Sequence, residues 1–158
     1  MIRLRLTLRS LWLAAALAVA ASACAPSAEA EWLAAAEAAH ESVDGGGGRA
    51  ALEDFLARPV PDGVQSDDAR VVRQDAAYRL ARLLLATGDA ERAEAAASEA
   101  LDEGEKEDIF TANLYVARGQ ALEAQGRPVR ATMDYHDALL INEVLLEAAL
   151  ADEGDDEE

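Results

Sequence analysis

Laid against itself at an offset of 38 residues, the chain matches at seven of the eighteen positions from 84 to 101. Leu84 meets Leu122, Ala86 meets Ala124, Gly88 meets Gly126 and Arg92 meets Arg130. Ala93 meets Ala131, Ala100 meets Ala138 and Leu101 meets Leu139. Alanine abundance accounts for some of these, so the paired leucines and glycines weigh most. A spacing pattern shared by two segments marks a duplicated unit, and such a unit buries its apolar face only by stacking on a neighbour.

The units are helical. Residues 29–151 are dominated by Ala, Leu, Glu and Arg, all strong helix formers, and lack period-2 alternation and β-branched runs. The breakers cut this stretch into six pieces. The first runs from about Glu29 to Ser42 and ends at Gly45-Gly46-Gly47-Gly48, read as a flexible loop. The second runs from about Arg49 to Arg58 and stops at Pro59. Ser66 is the expected N-cap of the third, with Asp67 and Asp68 favourable in its first turn. Thr87-Gly88 closes the third helix, and Asp89 is expected to cap the fourth, which reaches about Glu103. The fifth spans about Lys106 to Gln125 and ends at Gly126. Pro128 is tolerated in a first turn and opens the sixth, which is expected to reach about Ala151. Residues 152–158 are acidic except Gly154 and read as a solvated, disordered tail.

The hairpin pattern resembles the tetratricopeptide repeat. In the second unit Tyr115, Gly119, Leu122, Gly126, Ala131, Tyr135 and Ala138 stand at the places that carry the resemblance. In the first unit Ala77, Ala81, Leu84, Gly88, Ala93, Ala97 and Ala100 do. Ala81 and Gly119 allow close helix approach, and Tyr135 supplies bulk between Ala131 and Ala138. The family repeats every 34 residues. Here the four extra residues fall near Gly104-Glu105-Lys106-Glu107, read as about one added helical turn. The earlier hairpin, within residues 31–65, is a degenerate echo that caps one end of residues 66–151. Helix six caps the other, with Leu140, Ile141, Val144, Leu145 and Leu146 exceeding what one amphipathic face needs. The resemblance implies an all-α fold of antiparallel hairpins stacked as a short α-solenoid. It also implies a protein- or peptide-binding groove lined by the third and fifth helices. On the third, Arg70, Arg73, Arg79 and Arg82 are candidates for gripping a carboxylate-bearing partner. The competing reading pairs them with the chain's own carboxylates, such as Asp75 and Glu94.

Residues 1–23 read as an export signal: Arg3, Arg5 and Arg9, then the apolar run Leu11 to Ala20, then small residues. That run is shorter than the roughly 20 apolar residues of a membrane span. Ala21-Ser22-Ala23-Cys24 resembles the lipobox of bacterial lipoproteins, which implies lipid attachment at Cys24 and a tether over residues 24–30. Ala21 stands where that family usually has Leu. Ordinary cleavage after Ala30 is the alternative and would release a soluble protein. Either cut removes three of 14 basic residues and no acid, leaving 11 against 31 acidic, a net charge of −20.

Such a charge is a poor match for nucleic acid. One cysteine excludes an intramolecular disulfide framework and a cysteine zinc site. Nothing in the sequence implies a cofactor or a metal. His40 and His136 are remote in sequence, and neighbours within Asp134-Tyr135-His136-Asp137 do not share a helix face. No nucleophile–base motif, Walker loop or zinc helix is present. Thirteen arginines against one lysine fit a GC-rich bacterial coding sequence. The expectation is therefore a non-catalytic protein–protein adaptor of the bacterial cell envelope, held to a membrane through its lipid. Its partner would be another envelope protein or a peptide. A self-associating structural protein, or a module binding a small molecule or cation, is the alternative.

Overall fold

The computed structural model describes residues 26–43 and 47–155, with side chains as far as Asp152. Residues 1–23, read as an export signal, Cys24 and the last three residues of the acidic tail lie outside the described residues. Among the described residues six helices follow one another: α1 (Ala28–Glu41), α2 (Gly48–Leu56), α3 (Ser66–Ala86), α4 (Ala90–Asp102), α5 (Ile109–Ala124) and α6 (Pro128–Asp155). No strand occurs among the described residues. Each helix packs on the next, and α1 also touches α3 as α3 touches α5. Short turns make consecutive helices antiparallel. The second set of contacts stacks one hairpin on the following one, so the fold is all-α and repeat-like.

The duplicated glycines explain the two tightest turns. Gly88 and Gly126 have φ of 80° and 73°, in the region that favours glycine. At the first turn the Asp89 N–H donates to Leu84 O and the Gly88 N–H to Leu85 O; at the second the Arg127 N–H donates to Leu122 O and the Gly126 N–H to Glu123 O. Both are Schellman ends, and the offset of 38 carries each hydrogen bond onto its counterpart. The sequence repeat is thus a repeat of local backbone structure.

Four expectations about helix limits change. The N-cap of α3 is Gln65, which makes no side-chain capping bond; Ser66 is the first helical residue. Gln65 is still extended there, leaving the Pro61–Val64 turn, so it takes the cap position that the serine signal assigns to Ser66. Asp89 stands at the N-cap of α4 but makes no capping bond; its carboxylate instead faces Arg49 at 3.5 Å and Arg92 at 3.8 Å. Residues 104–108 are not an added helical turn but a loop. Gly104 has φ of 138° and breaks the helix, and Asp108 accepts from the Thr111 N–H to start α5 at Ile109. Finally, α6 continues to Asp155, since nothing beyond Ala151 breaks a helix except Gly154, a cost of about 1 kcal/mol.

The core is mostly alanine. Ala81, Ala93, Ala97, Ala117 and Ala121 have no accessible surface, and Leu84, Leu114 and Leu122 fill the space between them. Bulk is concentrated in the first hairpin, where the Trp32 and Phe55 rings pack 5.2 Å apart beside Leu52. Gly48, expected in the loop, is the buried first residue of α2. A Cβ there would lie 2.6 Å from Val43 Cα, so the return from α1 requires glycine.

Candidate functional site

Helix α3 decides where the four candidate arginines point. At 100° per residue, Arg70 and Arg73 fall on the face that carries Gln74 and Ala77, while Arg79 and Arg82 fall with Val72, Asp75 and Ala76. The cluster therefore divides into two pairs on different faces.

The first pair is engaged inside the molecule. Arg70 is buried and donates to Gln74 Oε1 at 2.6 Å and to Asp108 Oδ2 at 2.7 Å. The amide of Gln74, fully buried, donates in turn to Ala100 O and Gly104 O. Asp108 uses its other oxygen to accept from the Thr111 N–H, and Thr111 Oγ1 accepts from the Lys106 N–H. One polar network thus ties α3 to the end of α4, the inserted loop and the start of α5. Burial pushes the Asp108 carboxyl up, but the Thr111 N–H and the Arg70 guanidinium outweigh it and hold it below the usual carboxylate range. Arg73 donates to Glu103 at 2.6 Å and to Leu56 O at 3.0 Å, fastening α2 to α3. Neither side chain is free to grip a partner.

Of the second pair, Arg79 lines a groove of about 460 Å³. Its apolar lining includes Leu52, Val71, Val72, Ala76 and Phe110. Glu37, His40 and Glu41 from α1, and Asp75 and Arg79 from α3, supply its polar side chains. Arg79 donates to Asp75 Oδ2 at 2.8 Å, and His40 Nδ1 lies 3.6 Å from the same oxygen. Arg82 sits over the Tyr78 ring at 5.8 Å and is exposed. With Arg79 paired to Asp75, the groove keeps the exposed carboxylates of Glu37 and Glu41 and is acidic. Of the expected internal partners, Asp75 does take Arg79. Glu94 instead takes Arg127 at 2.7 Å.

Of the repeat residues, Gly88 and Gly126 stand in the exposed turns and most of the others in the core. Ala81, Leu84, Ala93, Ala100, Leu122, Ala131 and Ala138 are all buried. A Cβ on Gly119 would lie 2.6 Å from Tyr135 Cε1, so the ring of Tyr135 rests directly on the glycine. The Tyr135 hydroxyl donates to Glu123 at 3.0 Å, and burial followed by that carboxylate pushes its pKa up to about 12. Tyr115 is likewise pushed up to about 12, by burial and then by the nearby Glu105 carboxylate. Both phenols remain protonated at neutral pH. Arg118 makes two bonds to the buried Asp134, at 2.8 and 2.9 Å, and stacks over Tyr115 at 5.2 Å. Asp134 therefore turns inward while His136 is exposed, and that pair does not converge. Among the described residues no group of three His, Cys, Asp or Glu side chains is placed to hold a metal ion.

Sequence reasoning missed Gln74, Asp108 and the Arg118–Asp134 pair. Asp108 is legible as an N-cap, three residues before Thr111 and just ahead of an apolar run. The others depend on contacts across 16 to 30 residues, for which the sequence carries no local signal. Among the described residues no helix is long and apolar enough to cross a membrane. No protein-family model, curated protein or solved structure matches the chain.

Proposed function

We propose that this chain is a non-catalytic, tetratricopeptide-like adaptor, exported in a bacterium and anchored to the envelope by lipid on Cys24. The groove between α1, α3 and α5 carries the reading. It offers apolar lining for the side chains of a peptide or helix, and Glu37 and Glu41 at its border favour a segment that also carries Lys or Arg. This changes the partner's expected charge, since Arg79 is neutralised by Asp75 and Arg70 and Arg73 face elsewhere. The anchor rests on the basic, apolar and small-residue order of residues 1–24.

The test is affinity purification from gently solubilised envelope, comparing wild type with Val72→Glu. An envelope protein recovered in stoichiometric amount with wild type, and lost with the variant, is the expected result. Recovery unchanged by Val72→Glu removes the groove from the function. Labelling with a radioactive fatty acid checks the anchor separately: label absent from wild type, or retained in Cys24→Ser, defeats the lipoprotein reading.

A further inference from the structure

Most of the large hydrophobic side chains left exposed among the described residues lie on α6. The end of the array accounts for some. Leu101 is buried beneath α5, whereas its counterpart Leu139 has no following helix above it and is exposed. Val129, Met133, Leu140 and Val144 form a different stripe, exposed by 77%, 63%, 47% and 41%. Their spacings of four, seven and four place them within about 60° of helical arc.

That spacing reads the same in both directions. A two-fold axis passing α6 between His136 and Asp137 maps Val129 onto Val144 and Met133 onto Leu140. Leu139, Leu146 and Leu150, spaced seven and four, do not map onto themselves. Self-complementarity of this kind is what an isologous interface requires, because each patch must face its own image. Arg127 and Arg130, beside the start of α6, are already held by Glu94. The exposed carboxylates Glu143 and Glu147 lie in its later half, and antiparallel helices keep those of the two copies at opposite ends, whereas parallel helices set acid beside acid.

We propose that the α6 stripe is covered by α6 of a second copy of this chain, antiparallel, with Met133 facing Leu140 of the other copy. The groove on α1 and α3 stays open in such a dimer, so a dimer presents two binding grooves.

Sedimentation equilibrium on the full-length chain tests this with Met133→Lys, Leu140→Glu and the double variant. Both substitutions are at exposed positions, and circular dichroism confirms that helix content is kept. Wild type dimerises, and each single variant does so at least about tenfold more weakly. The double variant recovers, because the ammonium introduced on one copy then faces the carboxylate introduced on the other. A wild type monomeric at every concentration overturns the proposal and assigns the stripe to an unlike helix. Dimers that survive both single changes overturn it in favour of another surface. Failure of the double variant to recover overturns the antiparallel register.

Discussion

Replacing Gly119 with alanine should destabilise the protein in the wild-type background and stabilise it when Tyr135 is alanine. The two units solve one packing problem in two ways. The counterparts of Gly119 and Tyr135 are Ala81 and Ala97, both without accessible surface. The second unit has traded two small residues for one absent side chain and one aromatic ring. Gly119 is mid-helix, where alanine is favoured by about 0.8–1.0 kcal/mol on propensity alone. Against this, an added Cβ meets Tyr135 Cε1 at 2.6 Å, Cδ1 at 2.9 Å and Cζ at 3.1 Å. The ring cannot simply swing away, being held by the Tyr135 hydroxyl bond to Glu123 and by helical rotamer limits. Such overpacking costs about 1–3 kcal/mol. Gly119→Ala should therefore cost about 1 kcal/mol net in wild type and stabilise by about 1 kcal/mol in Tyr135→Ala, a coupling of about 2 kcal/mol. Urea denaturation of the four proteins at constant m-value measures it. An equal gain in both backgrounds would refute the close approach on which the second unit's packing rests.

The pH dependence of one bond follows from the depressed pKa of Asp108. A carboxyl held lower in the folded state contributes stability that is complete above its unfolded value, about 3.9, and is lost as pH falls through the folded value. The stability deficit of Asp108→Asn, from urea midpoints, is therefore constant from about pH 7 to 5 and shrinks below about pH 4. Gly88→Ala and Gly126→Ala should each cost about 1–2 kcal/mol, since a Cβ meets nothing within 4 Å at either and only the positive φ opposes it. Unequal costs in thermal melts would show that the two turns are not equivalent.

Elements bounded by local chemistry are legible in the sequence, and elements bounded by tertiary contact are not. The Schellman glycines set the ends of α3 and α5 to within a residue, because each turn is stabilised by its own backbone. The cap of α3 shifts by one residue because Gln65 is set by the preceding turn rather than by Ser66. The inserted loop reads as helix because Glu105, Lys106 and Glu107 have good propensity, while the geometry there is dictated by Gly104 and by the bonds to Gln74 and Arg70. The arginines of α3 are visible as a group, but only helical phase separates Arg79, which lines the groove, from Arg70 and Arg73, which bond within the molecule on another face. Once α3 is known to be continuous from Ser66 to Ala86, that separation needs no further information.

The polar network behind α3 sets the groove in front of it. Phe110 lies two residues after Asp108, and Val71 follows Arg70, so the Arg70–Asp108 bond fixes how the start of α5 meets α3. The two ends of that bond are not equivalent. Arg70 is 8% exposed and Asp108 26%. Removing the carboxylate strands a buried guanidinium, whose Nε already lacks a partner, and removes the cap of α5. Removing the guanidinium leaves a carboxylate that keeps the Thr111 N–H and reaches water, but it also takes the bond from the fully buried Gln74 Oε1, a loss of about 1–3 kcal/mol. Asp108→Ala should therefore cost about 3–5 kcal/mol and Arg70→Met clearly less, although both abolish the same bond. Hydrogen exchange at the first amides of α5 should accelerate in both variants, as the helix start loosens. If Arg70→Met proves as costly as Asp108→Ala, the guanidinium is contributing through Gln74 and its own packing, and the bond to Asp108 is not what holds Phe110 beside Val71.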